Sequence, residues 1–155
     1  MTLTTGRAIL YGGITVGALD LIDAFLFFGM RSGARPIGIL HSIAAGFLGR
    51  DAARAGGVQT AIVGFFAHFL VAFCIVTVYV LASRVIPLLR RQWVVCGLIF
   101  GVIAYFVMTW LVVPMSNAGN GQITFALPVT PVLVNGILIH AFGVGLPAGY
   151  FAKKV

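Results

Sequence analysis

The sequence predicts an all-α fold: an integral membrane four-helix bundle with a short re-entrant or interfacial helix between spans one and two. Of its 155 residues, 61% are hydrophobic and only 8% are charged, whereas soluble domains carry about 25% charged residues. Four apolar stretches are each long enough to cross about 30 Å of hydrocarbon as helices. We treat residues 1–155 as a single transmembrane domain.

The four predicted spans cover about 8–28, 60–81, 93–113 and 131–151. A basic turn, 82–92, joins the second to the third, and an uncharged polar loop, PMSNAGNGQITFALPVT, joins the third to the fourth. The first apolar run lacks an A-x-A cleavage site and is interrupted by Asp20. We therefore interpret it as a retained span and not as a signal peptide.

The apolar segment 36–49 lies between spans one and two and is the ambiguous part of the chain. As a helix it would rise only about 21 Å, which is short for a crossing. Gly38, Ser42 and Gly46 share one face of it, and small residues at this spacing let helix backbones approach closely in lipid. We expect this helix to pack against the spans and to return to the side it entered.

The formal charge of +7 comes from ten Lys and Arg against three Asp, and the cations flank the apolar runs. This placement is typical of topology signals, so we expect a lipid bilayer and no nucleic acid as the partner. With four crossings, six cations share one side against four on the other, which places both termini in the cytoplasm. Five crossings would split the cations seven against three, but the length of 36–49 favours four.

A layer of ionisable and polar side chains lies inside the predicted spans. Depth is counted from the end of each span that faces the loops rich in glycine and serine. At about 12–14 Å from that end lie Asp20, His68, Tyr105 and His140, and Asp23 lies one turn nearer to it. His41 on the short helix can reach the same zone. Such groups cost several kcal/mol in lipid, so they usually face the bundle interior and mark function. We predict that Asp20, Asp23, His68 and His140 face one another.

Small residues on the same helix faces support an inward orientation of this layer. Close helix packing uses glycine at such positions. The predicted packing residues are Gly13, Gly17, Gly38, Ser42, Gly46, Gly64, Gly97 and Gly101.

Four interpretations of the layer stay open at this point. A structural Asp–His bridge would fix the helix register, and a proton or ion pathway would use the same groups, since histidine titrates near neutral pH. A metal ion is the third alternative, because histidine and carboxylate ligands suit Zn, Fe or Mn. Bis-histidine haem ligation by His68 and His140 is disfavoured by the nearby acids. No nucleophile triad, P-loop or dinucleotide fingerprint occurs, so the sequence does not indicate an enzyme.

The segments GALDLIDAFLFFG, RPIGILHSIAAGFLGRDA, AHFLVAF, YFVMTWLVVPMS and IHAFGVGLPAGYFAKK span nearly the whole chain. Together they resemble a group of small uncharacterised bacterial inner-membrane proteins, distantly similar to the YagU-like family. The resemblance implies a four-span protein of the bacterial inner membrane and transfers no established activity. We expect an accessory or assembly-type subunit, in a homo-oligomer or larger membrane complex, whose polar layer is structural or relays protons. The alternative is an ion- or metal-binding transporter or enzyme.

Overall fold

The computed structural model describes residues 2–125 and 127–155, and every regular element within these ranges is helical. Along the chain these elements are α1 (Thr5–Ser32), α2 (Pro36–Leu48), α3 (Arg50–Ala55), α4 (Gly57–Val85), α5 (Leu88–Arg91), α6 (Trp93–Met115) and α7 (Pro131–Ala152).

Four of the described helices, α1, α4, α6 and α7, are long and apolar enough to cross a membrane. They have 28, 29, 23 and 22 residues, respectively. The prediction of four long apolar helices is therefore confirmed, but α1 and α4 begin earlier and end later than the predicted 8–28 and 60–81. The prediction followed the apolar run. A helix continues past that run because its hydrogen bonds join backbone groups whatever the side chain.

Both α6 and α7 contain a turn of π-helix, at Met108–Val112 and at His140–Gly145. In each helix the π segment ends two residues before a proline, Pro114 or Pro147. Proline has no N–H to donate and its ring clashes with the carbonyl four residues earlier. The wider π turn accommodates this local break in the hydrogen-bond ladder.

The helix α2 has 13 residues and rises about 20 Å, too little for a full crossing. Gly49 joins it to α3 with a φ of +81°, a conformation that glycine adopts at little cost. The buried face of α2 carries Ile39, Ala44 and Ala45. That α2 returns to the side it entered stays a prediction.

The chain forms two compact units. Unit 1 comprises Met1–Asp20, Phe69–Tyr105 and Val129–Val155, and unit 2 comprises Leu21–His68 and Phe106–Pro128. The core of unit 1 consists mostly of alanine and valine around Tyr79, which is 1% exposed. In unit 2 a smaller cluster is formed by Ala44, Ala45 and Ala53. Small residues inside and large apolar residues outside are the pattern of helices packed in lipid.

Candidate functional site

Within unit 1, α1 and α7 bring Asp20 and His140 together. Nδ1 of His140 lies 3.8 Å from Oδ1 of Asp20, and the two side chains are 16% and 25% exposed, respectively. The separation is too long for a good hydrogen bond but short for an electrostatic contact. Two of the four residues that were predicted to converge therefore meet.

A second contact fixes the tautomer of His140. Its Nδ1 lies 3.0 Å from the carbonyl oxygen of Gly136, one turn earlier in α7. Since a carbonyl oxygen can only accept a hydrogen bond, Nδ1 must be the donor and carry a proton. In the neutral imidazole Nε2 is therefore the nitrogen without a proton.

The aromatic ring of Tyr105 also packs against the imidazole of His140. The two ring centroids are 5.3 Å apart and the planes meet at 70°, an edge-to-face arrangement. The Tyr105 ring also lies directly against Gly136, where a Cβ would collide with it. Glycine at position 136 therefore lets Tyr105 approach the turn that holds the imidazole of His140.

The backbones of α6 and α7 touch immediately beside this site. A Cβ on Gly101 would collide with the carbonyl oxygen of His140, and one on Gly97 would lie 2.7 Å from the carbonyl oxygen of Gly145. These contacts are between main chains, so no side-chain rotation could relieve a clash. The two glycines of α6 thus fix the position of the turn at His140.

Asp23, His68 and His41 belong to unit 2. His41 Nε2 donates a hydrogen bond of 2.8 Å to the carbonyl oxygen of Gly57, the first residue of α4. The meeting of Asp23 and His68 with the Asp20–His140 pair stays a prediction.

The metal hypothesis gains no support from the structure. Among residues 2–125 and 127–155, no three His, Cys, Asp or Glu side chains are grouped so that they could hold a metal ion. A stable protein site for a transition metal usually has at least three such ligands.

The glycines that were predicted to pack helices differ in their surroundings. A Cβ on Gly13 would collide with the ring of Phe73, and one on Gly17 would lie 2.7 Å from the ring of Phe69. In unit 2, a Cβ on Gly64 would collide with the carbonyl oxygen of Leu40 in α2. These three glycines, like Gly97 and Gly101, thus lie at close contacts.

The face of α2 that carries Gly38, Ser42 and Gly46 does not make the close contact expected of it. A Cβ on Gly38 would meet nothing within 4 Å, and one on Gly46 would reach Ser116 only at an ordinary 3.7 Å. Ser42 donates its hydroxyl hydrogen bond to the carbonyl of Ile39, within the same helix. The expectation of tight packing on this face is therefore wrong for Gly38: α2 approaches α4 through its own backbone at Leu40, against Gly64.

The sequence reasoning missed Gly145 as a contact residue, and it missed the π turn that begins at His140. The signal for the turn was present, because Pro147 lies inside an apolar run that was predicted to be one continuous helix. The contact of Gly145 with α6 had a weaker signal, its four-residue spacing from Gly149.

No protein-family model, curated protein or solved structure matches this chain. The resemblance to the YagU-like family stays a prediction.

Proposed function

We propose that the protein binds and relays protons within the membrane, with His140 as the proton-carrying group and Asp20 as its counter-ion. The observation that carries the proposal is the double contact of Nδ1, which donates to the Gly136 carbonyl and faces the Asp20 carboxylate at 3.8 Å. The backbone bond occupies Nδ1, so Nε2 accepts and releases the proton.

The role of Asp20 follows from the energetics of charge in lipid. An imidazolium without a counter-ion costs several kcal/mol at membrane depth. A carboxylate within 4 Å offsets much of this cost by direct attraction, and the charged pair is neutral as a whole. Proton uptake at Nε2 therefore turns the neutral imidazole and the carboxylate into an ion pair without net charge.

The π turn at His140–Gly145 supports a functional role for this histidine. π turns in membrane and soluble helices occur frequently at functional sites, because they change the direction in which side chains point. Gly97 and Gly101 hold this turn in place through close contacts with its main chain.

The first experiment tests the tautomer. The chain has three histidines, so ¹⁵N-histidine labelling gives a spectrum that can be assigned with single His→Gln variants. We expect Nδ1 of His140 to carry the proton of the neutral imidazole, and Nε2 to be the nitrogen whose signal changes when the ring is protonated. An Nδ1 that loses its proton in neutral His140 would contradict the proposal.

The second experiment measures proton movement. Purified protein is reconstituted into vesicles that contain a pH-sensitive dye, and a potassium diffusion potential drives proton entry. We expect His140→Gln to reduce the flux to the level of protein-free vesicles. We expect Asp20→Asn, which keeps the shape of the side chain and removes its charge, to reduce the flux as well.

The second candidate is a structural bridge between α1 and α7 in an assembly-type subunit. A second contact between α1 and α7 favours it, because a Cβ on Gly143 would lie 3.7 Å from Cβ of Leu19, the residue before Asp20. Under this alternative, Asp20→Asn costs about 3–5 kcal/mol of stability and proton flux is absent from the wild-type protein.

A further inference from the structure

An open cavity of about 670 Å³ lies in unit 1, where the ends of α5 and α7 meet the N-terminal segment. The residues that line it are Thr2, Pro87, Arg90, Arg91, Lys153, Lys154 and Val155. Its volume lies within the range of about 300–1,000 Å³ that is usual for sites that bind small molecules.

The cavity carries a large excess of positive charge. Four of its seven lining side chains are cationic, and none of the Asp side chains of the chain, at positions 20, 23 and 51, lines it. Even if Val155 contributes a main-chain carboxylate, three cations stay uncompensated. Four cations around one concave surface repel one another, so an anion in the cavity would be stabilised by all of them.

The two lysines are held in place by aromatic rings. Nζ of Lys153 lies 3.8 Å from the ring centroid of Trp93, and Nζ of Lys154 lies 4.3 Å from that of Tyr150. A cation above an aromatic face keeps its other N–H groups available as donors. Arg90 and Arg91 add planar guanidinium groups, whose paired donors match two oxygens of a phosphate.

The position along the helices indicates where the anion comes from. Trp93 is the first residue of α6, and Lys153 directly follows the last residue of α7. Helix ends with Trp, Tyr, Lys and Arg lie at the level of lipid headgroups. A basic pocket at that level meets lipid phosphate at a far higher local concentration than soluble phosphate.

We propose that this cavity binds the phosphate of an anionic phospholipid headgroup, held by Arg90, Arg91, Lys153 and Lys154. This proposal is independent of the proton relay, since it uses none of the residues of the Asp20–His140 site. A lipid bound here would link the basic turn to the end of α7.

Native mass spectrometry of the full chain in detergent tests the proposal, with phosphatidylglycerol and phosphatidylcholine as the probes. We expect phosphatidylglycerol to bind at least tenfold more tightly than phosphatidylcholine. The variant Arg90→Gln/Arg91→Gln should bind phosphatidylglycerol about thirtyfold more weakly, because each of the two cations that it removes contributes about fivefold near anionic lipid. Lys153→Gln/Lys154→Gln provides a second variant at the same cavity.

The matched control is Arg31→Gln/Arg35→Gln, which removes the same charge from two exposed cations of unit 2. It should bind phosphatidylglycerol like the wild-type protein. Equal losses in the control and in the cavity variants would show bulk charge attraction and overturn the proposal. Displacement of the lipid by millimolar inorganic phosphate, but not by chloride of equal ionic strength, would assign the cavity to soluble phosphate and overturn it too.

Discussion

Replacing Gly101 by alanine should destabilise the protein through one methyl group. The added Cβ would collide with the carbonyl oxygen of His140. It would also lie 2.7 Å from the carbonyl carbon of His140 and 2.9 Å from Cα of Ala141. All three atoms belong to the main chain of α7. Since none can rotate away, the methyl fits only if α6 and α7 move apart.

The magnitude follows from two opposing effects. Overpacking a close contact typically costs about 1–3 kcal/mol, and a backbone clash belongs at the upper end of that range. Alanine in a helix gains about 0.5–1 kcal/mol over glycine. We therefore expect Gly101→Ala to lower the free energy of unfolding by about 2 kcal/mol.

The assay is SDS-driven unfolding in mixed micelles, followed by far-ultraviolet circular dichroism. Gly6→Ala is the matched control, because a Cβ on Gly6 in the same unit would meet nothing within 4 Å. It should be as stable as the wild-type protein or slightly more stable. Equal stability of Gly101→Ala and Gly6→Ala would refute the close approach of α6 to α7.

Two further predictions concern single hydrogen bonds, each measured by the same unfolding assay. Tyr79→Phe removes the hydroxyl that donates to the Leu89 carbonyl at 3.0 Å in a buried setting, and it should cost about 0.5–1.5 kcal/mol; an unchanged midpoint would mean that the bond contributes nothing. Thr130→Ala removes the side chain that accepts from the N–H of Leu133 at the start of α7, and it should cost about 1 kcal/mol, whereas Thr130→Ser should retain most of the stability.

The fold class could be predicted from the sequence because bilayer thickness imposes a length on every apolar run. The apolar runs that begin at Trp93 and at Pro131 predicted the first residues of α6 and α7 correctly. The ends of α1 and α4 could not be predicted in this way. The last turns of these helices contain polar residues such as Arg31 and Arg84. A prediction based on apolar runs leaves such residues out, although they are helical.

Part of the candidate site could also be predicted. Asp20 and His140 lie at the same depth along their spans, and each has small residues on its own helix face, so we predicted that they meet. In the structure Oδ1 of Asp20 and Nδ1 of His140 are 3.8 Å apart. Depth alone could not show that His140 also bonds to the backbone of its own helix, since this depends on a rotamer and on the π turn. The basic cavity was equally hidden, because its cations are separated by some sixty residues along the chain and were read only as topology signals.

The unequal lengths of the membrane helices have a consequence for the choice of bilayer. At 1.5 Å per residue, α1 and α4 extend about 42–44 Å, whereas α6 and α7 extend only about 33–35 Å. In a bilayer, helices of this length would reach through the headgroups on both sides, and they could adapt to different thicknesses by tilting. The shorter helices would just cover the hydrocarbon, so a thicker membrane would expose the polar residues that flank them to acyl chains. In a membrane of uneven thickness, α6 and α7 would therefore direct the protein to the thinner regions.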